Sequence, residues 1–280
     1  MVDTRTDDKG LTRTAGPDDG ELIVLLHGFP QTPAAWTDVL PRLAAAGYRA
    51  VAPPLPGFVP GVAHQRVDAR VDVAAEAVLR LADDRDVERF HVVGHDWGAN
   101  VGWTLAAVHP DRVASFTALS IPHPGALLAA LPGTQLLRSA YVPVLRLPIV
   151  TTAVSSVGNG VVLRRSLRAS GVPDHLADAY VDHLVGTGVL GQALDWYRAN
   201  GPRVLGRIVP VEVPTTFVWG WNDPFLGRRA AEGCGHWVRA SYTFVPVDEG
   251  HWLPERQPGL VADHVLTQVR RAATGPVAGR

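Results

Sequence analysis

Short apolar segments alternating with helical segments are the feature that most constrains the fold of this chain. The first of them, ELIVLLHG (21–28), is short and almost continuously apolar, as expected of a strand buried on both faces. The same alternation predicts further strands over 48–55, 89–95, 112–121, 214–221 and 241–250, and helices over 34–47, 71–84, 98–110 and 259–273. Strands and helices in this order form right-handed βαβ units. The sequence therefore predicts an α/β fold, with a mostly parallel sheet flanked by helices.

The alternation is interrupted in the middle of the chain. From HPGALLAALPG (123–133) to about residue 207 the sequence is helical in character and punctuated by prolines, without a clear alternating strand. We therefore predict an α/β core in two parts, 1–123 and 208–280, with residues 124–207 inserted as a helical lid. Because ligands of open α/β sheets bind beyond the carboxyl ends of the strands, we expect the lid to cover that edge.

Composition narrows the classes of function and partner. A net charge of −1 favours neither nucleic acid nor an anionic membrane, and no apolar run approaches the roughly 20 residues that span a bilayer. The single cysteine, Cys234, excludes an intramolecular disulfide and any multi-cysteine metal site. The polar N-terminus predicts a cytoplasmic protein. Because no glycine-rich phosphate loop or dinucleotide fingerprint is present, we expect no cofactor and no metal.

The segment VVGHDWGAN (92–100) predicts a strand, a tight turn and a helix with Asp96 in the turn. Asp96 could be a helix N-cap, or a nucleophile raised above the sheet by a sharp turn between Gly94 and Gly98. In the second case the N–H of Trp97 lies at a helix N-terminus, where it can stabilise an oxyanion. The loop HGFP (27–30) follows the first buried strand and would supply the Phe29 N–H as the second donor.

A nucleophile of this kind needs a base and a group that orients the base. WGWNDPF (219–225) puts Asp223 just after one predicted strand, and DEGHWLPE (248–255) puts His251 after the next. The order of nucleophile, acid and histidine is that of α/β-hydrolases. The three positions together favour the catalytic interpretation of Asp96 over the helix cap.

An aspartate at this position changes the reaction class. A carboxylate with a reference pKa of about 3.9 is already charged at neutral pH. Attack on an ester carbonyl would give an anhydride, whereas attack on an sp³ carbon gives an alkyl ester of Asp96. Water can then cleave this ester with His251 as general base and Asp223 orienting the imidazole. Epoxides and haloalkanes are the substrate classes that fit.

The motifs HGFP, GHDWGA, WGWNDPF and GHWLPE, in this order, resemble those of epoxide hydrolases of the α/β-hydrolase superfamily over about residues 20–272. The resemblance implies two lid tyrosines that donate to the epoxide oxygen. LDWYRAN (194–200) resembles the segment that carries one of them and points to Tyr197. YVPVLRLP (141–148) is a looser match and points to Tyr141.

The resemblance also implies a cofactor-free enzyme that makes a vicinal diol from a small apolar epoxide. Phe29, Trp97, Tyr141 and Tyr197 would contact the substrate. Aromatic residues near the motifs suggest an apolar pocket, although most of them could equally be core residues: Phe29, Trp97, Trp221, Phe225 and Trp252.

Other functions on the same fold differ at particular positions. Haloalkane dehalogenases also carry an Asp followed by Trp, but they often have Asn where this chain has Phe29, and they lack the tyrosine pair. Fluoroacetate dehalogenases resemble the chain at HGFPQ but carry arginines at the positions of Trp97 and Asn100, so a small haloacid is a poor fit. A non-catalytic binding protein on the hydrolase fold would be expected to have an interrupted triad. The oligomeric state is left open.

Overall fold

A computed structural model describes residues 4–6, 11–61, 68–150, 153, 158–201 and 208–274. The described residues form eight strands in one sheet. The strands are β1 (Thr4–Thr6), β2 (Arg13–Ala15), β3 (Leu22–Leu26), β4 (Arg49–Ala52), β5 (Phe90–His95), β6 (Val113–Leu119), β7 (Thr215–Gly220) and β8 (Tyr242–Val247). Their order is β1-β2-β4-β3-β5-β6-β7-β8. Only the pairs β1–β2 and β2–β4 are antiparallel, so the predicted mostly parallel sheet is confirmed.

The helices alternate with the strands before β6 and after β7. In this part of the fold they are α1 (Leu40–Ala45), α2 (Val71–Asp83), α3 (Trp97–Val108), α10 (Arg228–Glu232), α11 (Leu253–Arg256) and α12 (Pro258–Thr274). Between β6 and β7 lie α4 (Pro124–Ala130), α5 (Leu136–Arg138), α6 (Val142–Leu145), α7 (Val161–Ala169), α8 (Asp174–Val181) and α9 (Leu190–Ala199). The division into a core and a lid over 124–207 stays a prediction.

The prediction of one continuous helix over 34–47 is wrong. The segment 34–47 contains a short 3₁₀ turn, Pro33–Trp36, and then α1. Pro41 lies at the start of α1, where its missing N–H would have no intrahelical partner in any case. A proline inside one long helix would instead remove a hydrogen bond, so the chain forms two short helical pieces.

Apolar side chains cover both faces of the sheet. The apolar positions of α2 recur every three or four residues, so one face of this helix is buried: Val71, Ala74, Ala75, Val78, Leu79 and Ala82. Together with α3 it packs on one face of the sheet, and α1 and α12 pack on the other. The central strands are buried on both sides, which explains why β3 and β7 are entirely buried.

The candidate residues follow the carboxyl ends of the parallel strands. Asp96 comes directly after β5, Asp223 follows β7 and His251 follows β8. Phe29 follows β3, the neighbour of β5 in the sheet. These four residues therefore meet at one edge of the sheet, as expected for a site in an α/β fold. Among the described helices, none is both long and apolar enough to cross a membrane.

Candidate active site

Asp96 occupies a strained turn between β5 and α3. Its backbone has φ 52° and ψ −120°, a conformation that costs a non-glycine residue about 1–3 kcal/mol. Asp96 takes the N-cap position of α3, but its side chain makes no capping hydrogen bond. No capping hydrogen bond therefore offsets the backbone strain. The Asp96 carboxylate is directed away from the helix instead.

Glycines around this turn are needed for close packing. A Cβ at Gly28 would lie 2.2 Å from Asp96 Oδ1, and one at Gly98 would lie 2.1 Å from the Leu26 carbonyl oxygen. A Cβ at Gly94 would lie 2.3 Å from the carbonyl oxygen of Gly98. Side chains at Gly28 and Gly98 would push the end of β3 and its loop away from the turn, and one at Gly94 would push β5 away from α3. These glycines therefore let Phe29 come within reach of Asp96.

The Asp96 carboxylate is buried and has two polar neighbours. Oδ1 accepts a hydrogen bond from the Phe29 N–H at 2.9 Å, and Oδ2 lies 3.7 Å from His251 Nε2. Burial alone would raise the pKa of Asp96, but the charge of His251 and the Phe29 N–H hold it below its ordinary value. Asp96 is therefore an anion at neutral pH, with Oδ2 the oxygen that lacks a backbone donor.

His251 is held by Asp223 on the side away from Asp96. The distance from His251 Nδ1 to Asp223 Oδ2 is 2.7 Å, and the other oxygen of Asp223 accepts the N–H groups of Phe225 and Leu226. Burial lowers the pKa of His251, but the Asp223 carboxylate and then Asp96 outweigh burial and raise it to about 10. The protonated form of the His251 imidazole is therefore stabilised by two carboxylates, Asp223 and Asp96.

Three further side chains, for which the sequence alone predicted no role, hold this arrangement in place. Gln31 Oε1 accepts the Gly28 N–H at 2.7 Å and lies 2.8 Å from His95 Nδ1. The other ring nitrogen of His95 lies 2.8 Å from the carbonyl oxygen of His251. Gln31 Nε2 donates to Glu255 Oε1 at 2.6 Å. Gln31 thus ties the loop of Phe29 to the loop of His251.

The segment that follows β6 also contacts the loop of Asp223. Gln135 donates to the Phe225 carbonyl oxygen at 2.9 Å and accepts the Gly227 N–H at 2.8 Å. Arg138 donates to the carbonyl oxygen of Asp223. The loop that carries Asp223 is therefore held by hydrogen bonds from side chains outside the sheet. No local motif marks Gln135 or Arg138, so the sequence offered no signal for them.

Asp96 opens into a cavity of about 290 Å³. Its wall is formed by Asp96, Trp97, Asn100, Ile121, Leu127, Leu128, Leu131, Gln135, Ser139, Tyr141, Val142, Pro143, Arg146, Tyr197, Asn200, Gly201, Phe225 and Leu226. Both tyrosines that the resemblance implied are in this wall, and their ring centroids lie 6.4 Å apart. Burial raises the pKa of each phenol above its ordinary value. Both are therefore neutral proton donors at neutral pH.

The aromatic residues expected around a pocket are only partly brought together. Trp97 and Phe225 line the cavity, and Phe29 packs against the ring of Tyr197 at 5.5 Å. Trp221 is 47% exposed and donates to Asp248, so its assignment to the pocket is wrong. Trp252 is buried, donates to Ser170 and is not among the residues of the cavity wall. Position next to a motif therefore did not decide which aromatic side chains face the cavity.

Among the described residues, no group of three or more His, Cys, Asp or Glu side chains could hold a metal ion. Cys234 is buried and its pKa is raised by burial to about 12, so it is a neutral thiol at neutral pH. His27, in the loop after β3, accepts the Leu55 N–H through Nε2.

Comparison with known proteins shows which family the chain belongs to. A family model described as the alpha/beta hydrolase fold matches residues 21–142. The chain is 30% identical to the AB hydrolase superfamily protein YfhM of Bacillus subtilis, over 91% of this chain and 92% of the relative. It is 28% identical to Epoxide hydrolase A of Mycobacterium tuberculosis, over 90% of this chain and 91% of the relative.

A solved structure supports the fold. The crystal structure of Epoxide Hydrolase A from Mycobacterium thermoresistibile superimposes with a TM-score of 0.77 at 24% identity, covering 96% of this chain and 98% of that chain. The match extends across the sheet and the helices between β6 and β7. The similarity to the Bacillus protein, at 30% identity over nearly the whole of both chains, shows that the chain belongs to the α/β-hydrolase superfamily.

Proposed function

We propose that the protein hydrolyses epoxides to vicinal diols through a covalent ester of Asp96. The proposal is supported by relatives that carry the name epoxide hydrolase. The observation that carries it is that one carboxylate, Asp96, and two neutral phenols, Tyr141 and Tyr197, line the same cavity. A carboxylate can open an epoxide from one side while a phenol protonates the oxygen that leaves on the other.

Ring opening uses the oxygen of Asp96 that carries no backbone hydrogen bond. Oδ2 attacks one epoxide carbon, the carbon–oxygen bond of the ring breaks, and a phenol gives its proton to the developing alkoxide. Because the phenols of Tyr141 and Tyr197 keep their protons at neutral pH, either can serve as the donor. The product is a hydroxyalkyl ester with Oδ1 as its carbonyl oxygen, still facing the Phe29 N–H.

Ester hydrolysis uses His251. Alkylation removes the charge of Asp96, and with it one of the two carboxylates that raise the pKa of His251. The phenolate left by ring opening takes up the proton of the imidazolium, and the neutral imidazole can then take a proton from water, which attacks the ester carbonyl carbon. The oxyanion forms on Oδ1, opposite the Phe29 N–H and the Trp97 N–H, which is free of an intrahelical acceptor at the start of α3. Collapse releases the diol, which takes the proton from His251, and the carboxyl proton left on Asp96 then passes to the imidazole and restores the starting state.

The first test compares substrate classes in one assay. We expect styrene oxide and terminal aliphatic epoxides to give diol, and chloro- and bromoalkanes of similar size to release no halide. A halide leaving group needs N–H donors rather than a proton, and the Phe29 side chain offers none. Diol is measured by chromatography and halide by ion chromatography. Halide release without diol would favour a haloalkane dehalogenase, and neither product would favour a binding protein.

The tyrosines should act in the first chemical step. We expect Tyr197→Phe to slow ester formation about 10- to 100-fold, with a smaller effect on ester hydrolysis, because its proton is needed only when the ring opens. Tyr141→Phe should act in the same direction, and the double variant should form no ester. The two steps are separated by rapid quench in single-turnover experiments.

Tyr180 provides a matched control for this prediction. It is a buried tyrosine of α8 whose hydroxyl donates to Glu255 at 2.9 Å, and it is not part of the cavity wall. Tyr180→Phe should leave the rate of ester formation unchanged, because its hydroxyl lies outside the cavity. Equal slowing of both steps by Tyr197→Phe would contradict the role of proton donor.

A further inference from the structure

Large apolar side chains cluster on the surface of the segment that follows α4. Among the described residues, six large apolar side chains are more than half exposed, and five of them lie between positions 136 and 149. Single apolar residues on a surface are ordinary, whereas a contiguous cluster marks a contact with a partner. These five side chains, which we call the apolar face, are 51% to 78% exposed: Leu136, Leu137, Val144, Leu147 and Ile149.

The apolar face is distinct from the catalytic cavity. None of its five residues belongs to the cavity wall, although their neighbours Gln135, Tyr141 and Val142 do. The segment therefore has one side toward the cavity and another toward solvent. Because the apolar face contacts neither Asp96 nor the tyrosines of the site, the proposed reaction does not explain its exposure.

The charges beside the apolar face are all positive. Every exposed residue of 131–150 is uncharged, and the only charged residues of this segment are Arg138 and Arg146, both half-buried. Arg138 donates to the carbonyl oxygen of Asp223, and Arg146 donates to that of Tyr197 at 2.7 Å. Neither arginine forms an ion pair with a described residue. A guanidinium has five N–H donors, so both keep donors for a partner.

The net charge of −1 conceals an uneven distribution along the chain. Residues 112–173 contain six arginines and no Asp or Glu, so the rest of the chain carries a net charge of −7. Arg164 and Arg168 of α7 are balanced by aspartates of α8. Arg138 and Arg146 have no such partners among the described residues. Although the net charge favoured no anionic membrane, the charge beside the apolar face does.

Two kinds of occupant can be compared by this charge. In a symmetric dimer the same patch faces itself, so each subunit would bring its arginines to the contact and neither would bring a carboxylate. A bilayer with anionic headgroups instead offers an apolar interior to the leucines and phosphates to the guanidiniums. Arginine side chains reach such phosphates while their apolar stems stay in the interface. The bilayer matches both the apolar and the charged residues.

We propose that the apolar face docks the protein onto membranes that carry anionic headgroups. Leu136, Leu137 and Ile149 enter the boundary between headgroups and acyl chains, and Arg138 and Arg146 bind the phosphates beside them. Since no described helix could cross a membrane, the contact is peripheral. It goes beyond the proposed epoxide hydrolysis and does not depend on it.

Vesicle sedimentation tests this docking. We expect vesicles of phosphatidylcholine with about one third phosphatidylglycerol to bind the protein about 10-fold more strongly than phosphatidylcholine alone, because the arginines need anionic headgroups. The double variant Leu136→Ser with Leu137→Ser should lower the partition coefficient about 10-fold or more, since two apolar side chains are no longer buried. Val108→Ser is the control: this exposed valine ends α3, the helix that Asp96 begins, and the variant should bind like the native protein.

A fluorescent label tests where the contact lies. Cys234 is the only native cysteine and is buried, so a cysteine introduced on the surface can be labelled selectively. Leu137→Cys with an environment-sensitive fluorophore should shift its emission to shorter wavelength when anionic vesicles are added. Val108→Cys with the same fluorophore should show no shift. Because the signal needs no turnover, it tests the docking even if no epoxide is hydrolysed.

Several results would overturn the proposal. The protein might remain in the supernatant with both kinds of vesicle, or bind both equally, which would exclude an anionic surface as the partner. Equal binding by the native protein and the double leucine variant would place the contact elsewhere. Light scattering checks the other occupant: a native dimer that becomes a monomer in the double leucine variant, without vesicle binding, would assign the apolar face to a second copy of the chain.

Discussion

Replacing Asp96 by Asn should lower kcat for epoxide hydrolysis by about 10⁴-fold or more, the largest loss expected from any single substitution in this chain. The carboxamide has nearly the same shape, and its oxygen can still accept the Phe29 N–H, so the turn after β5 should survive. A neutral amide, however, is a poor nucleophile toward an sp³ carbon. The rate is measured on freshly purified protein, with unfolding temperature as the check on folding.

Asp86 offers a control for the same chemical change. It is an exposed aspartate, also at positive φ (55°), in the turn before β5 and away from the cavity. Asp86→Asn should retain full activity. Slow deamidation of the asparagine introduced by Asp96→Asn would restore activity over days, and a mass increase on the peptide that contains it should follow the recovery. An Asp96→Asn protein that keeps its activity within tenfold, without that mass change, would exclude the covalent route.

Replacing His251 by Gln should trap the intermediate. Ring opening does not need the imidazole as a base, whereas attack of water on the ester does, so we expect hydrolysis of the ester to slow about 10³-fold or more while one equivalent of ester forms. Intact-mass measurement after mixing with substrate should show a single adduct, and peptide mapping should place it on Asp96.

The mass of this adduct also identifies the reaction. Epoxide opening adds every atom of the substrate, so the shift equals the full mass of the epoxide. Displacement of a halide would add the substrate less the hydrogen halide. The double variant Asp96→Asn with His251→Gln should form no adduct. His236→Gln, at a histidine outside the cavity wall, should turn over normally and accumulate none. A His251→Gln protein that shows neither turnover nor adduct would contradict the assigned order of steps.

Much of the fold could be predicted because its signals are local. Strands that are buried on both faces appear in the sequence as short apolar runs. Accordingly, β3, β5, β6 and β7 lie within the segments predicted for them. The strained turn at Asp96 was likewise expected from its flanking residues, although Gly94 and Gly98 act through close packing rather than through positive φ. The helix over 34–47 was wrong because the effect of Pro41 outweighed the continuous helical pattern.

The supporting residues could not be predicted because they act across long separations. Gln31 reaches Glu255 over 224 positions, and Tyr180 of α8 reaches the same carboxyl group. Gln31 and Glu255 lie in the motifs HGFPQ and DEGHWLPE, which the sequence had already marked. Neither motif predicts that these two side chains are in contact. Gln135 and Arg138 lie outside any motif and bond the loop of Asp223.

The sequence by itself determined the α/β alternation and the identity of the candidate nucleophile, acid and base, because each lies in a short motif at a strand end. Only the tertiary structure decided what surrounds them. It separated the aromatic residues that face the cavity from Trp221, which faces solvent, and it left Arg146 at the cavity wall without a carboxylate partner among the described residues. Whether a charge is paired depends on which distant segments pack against it, and no local pattern of residues encodes that packing.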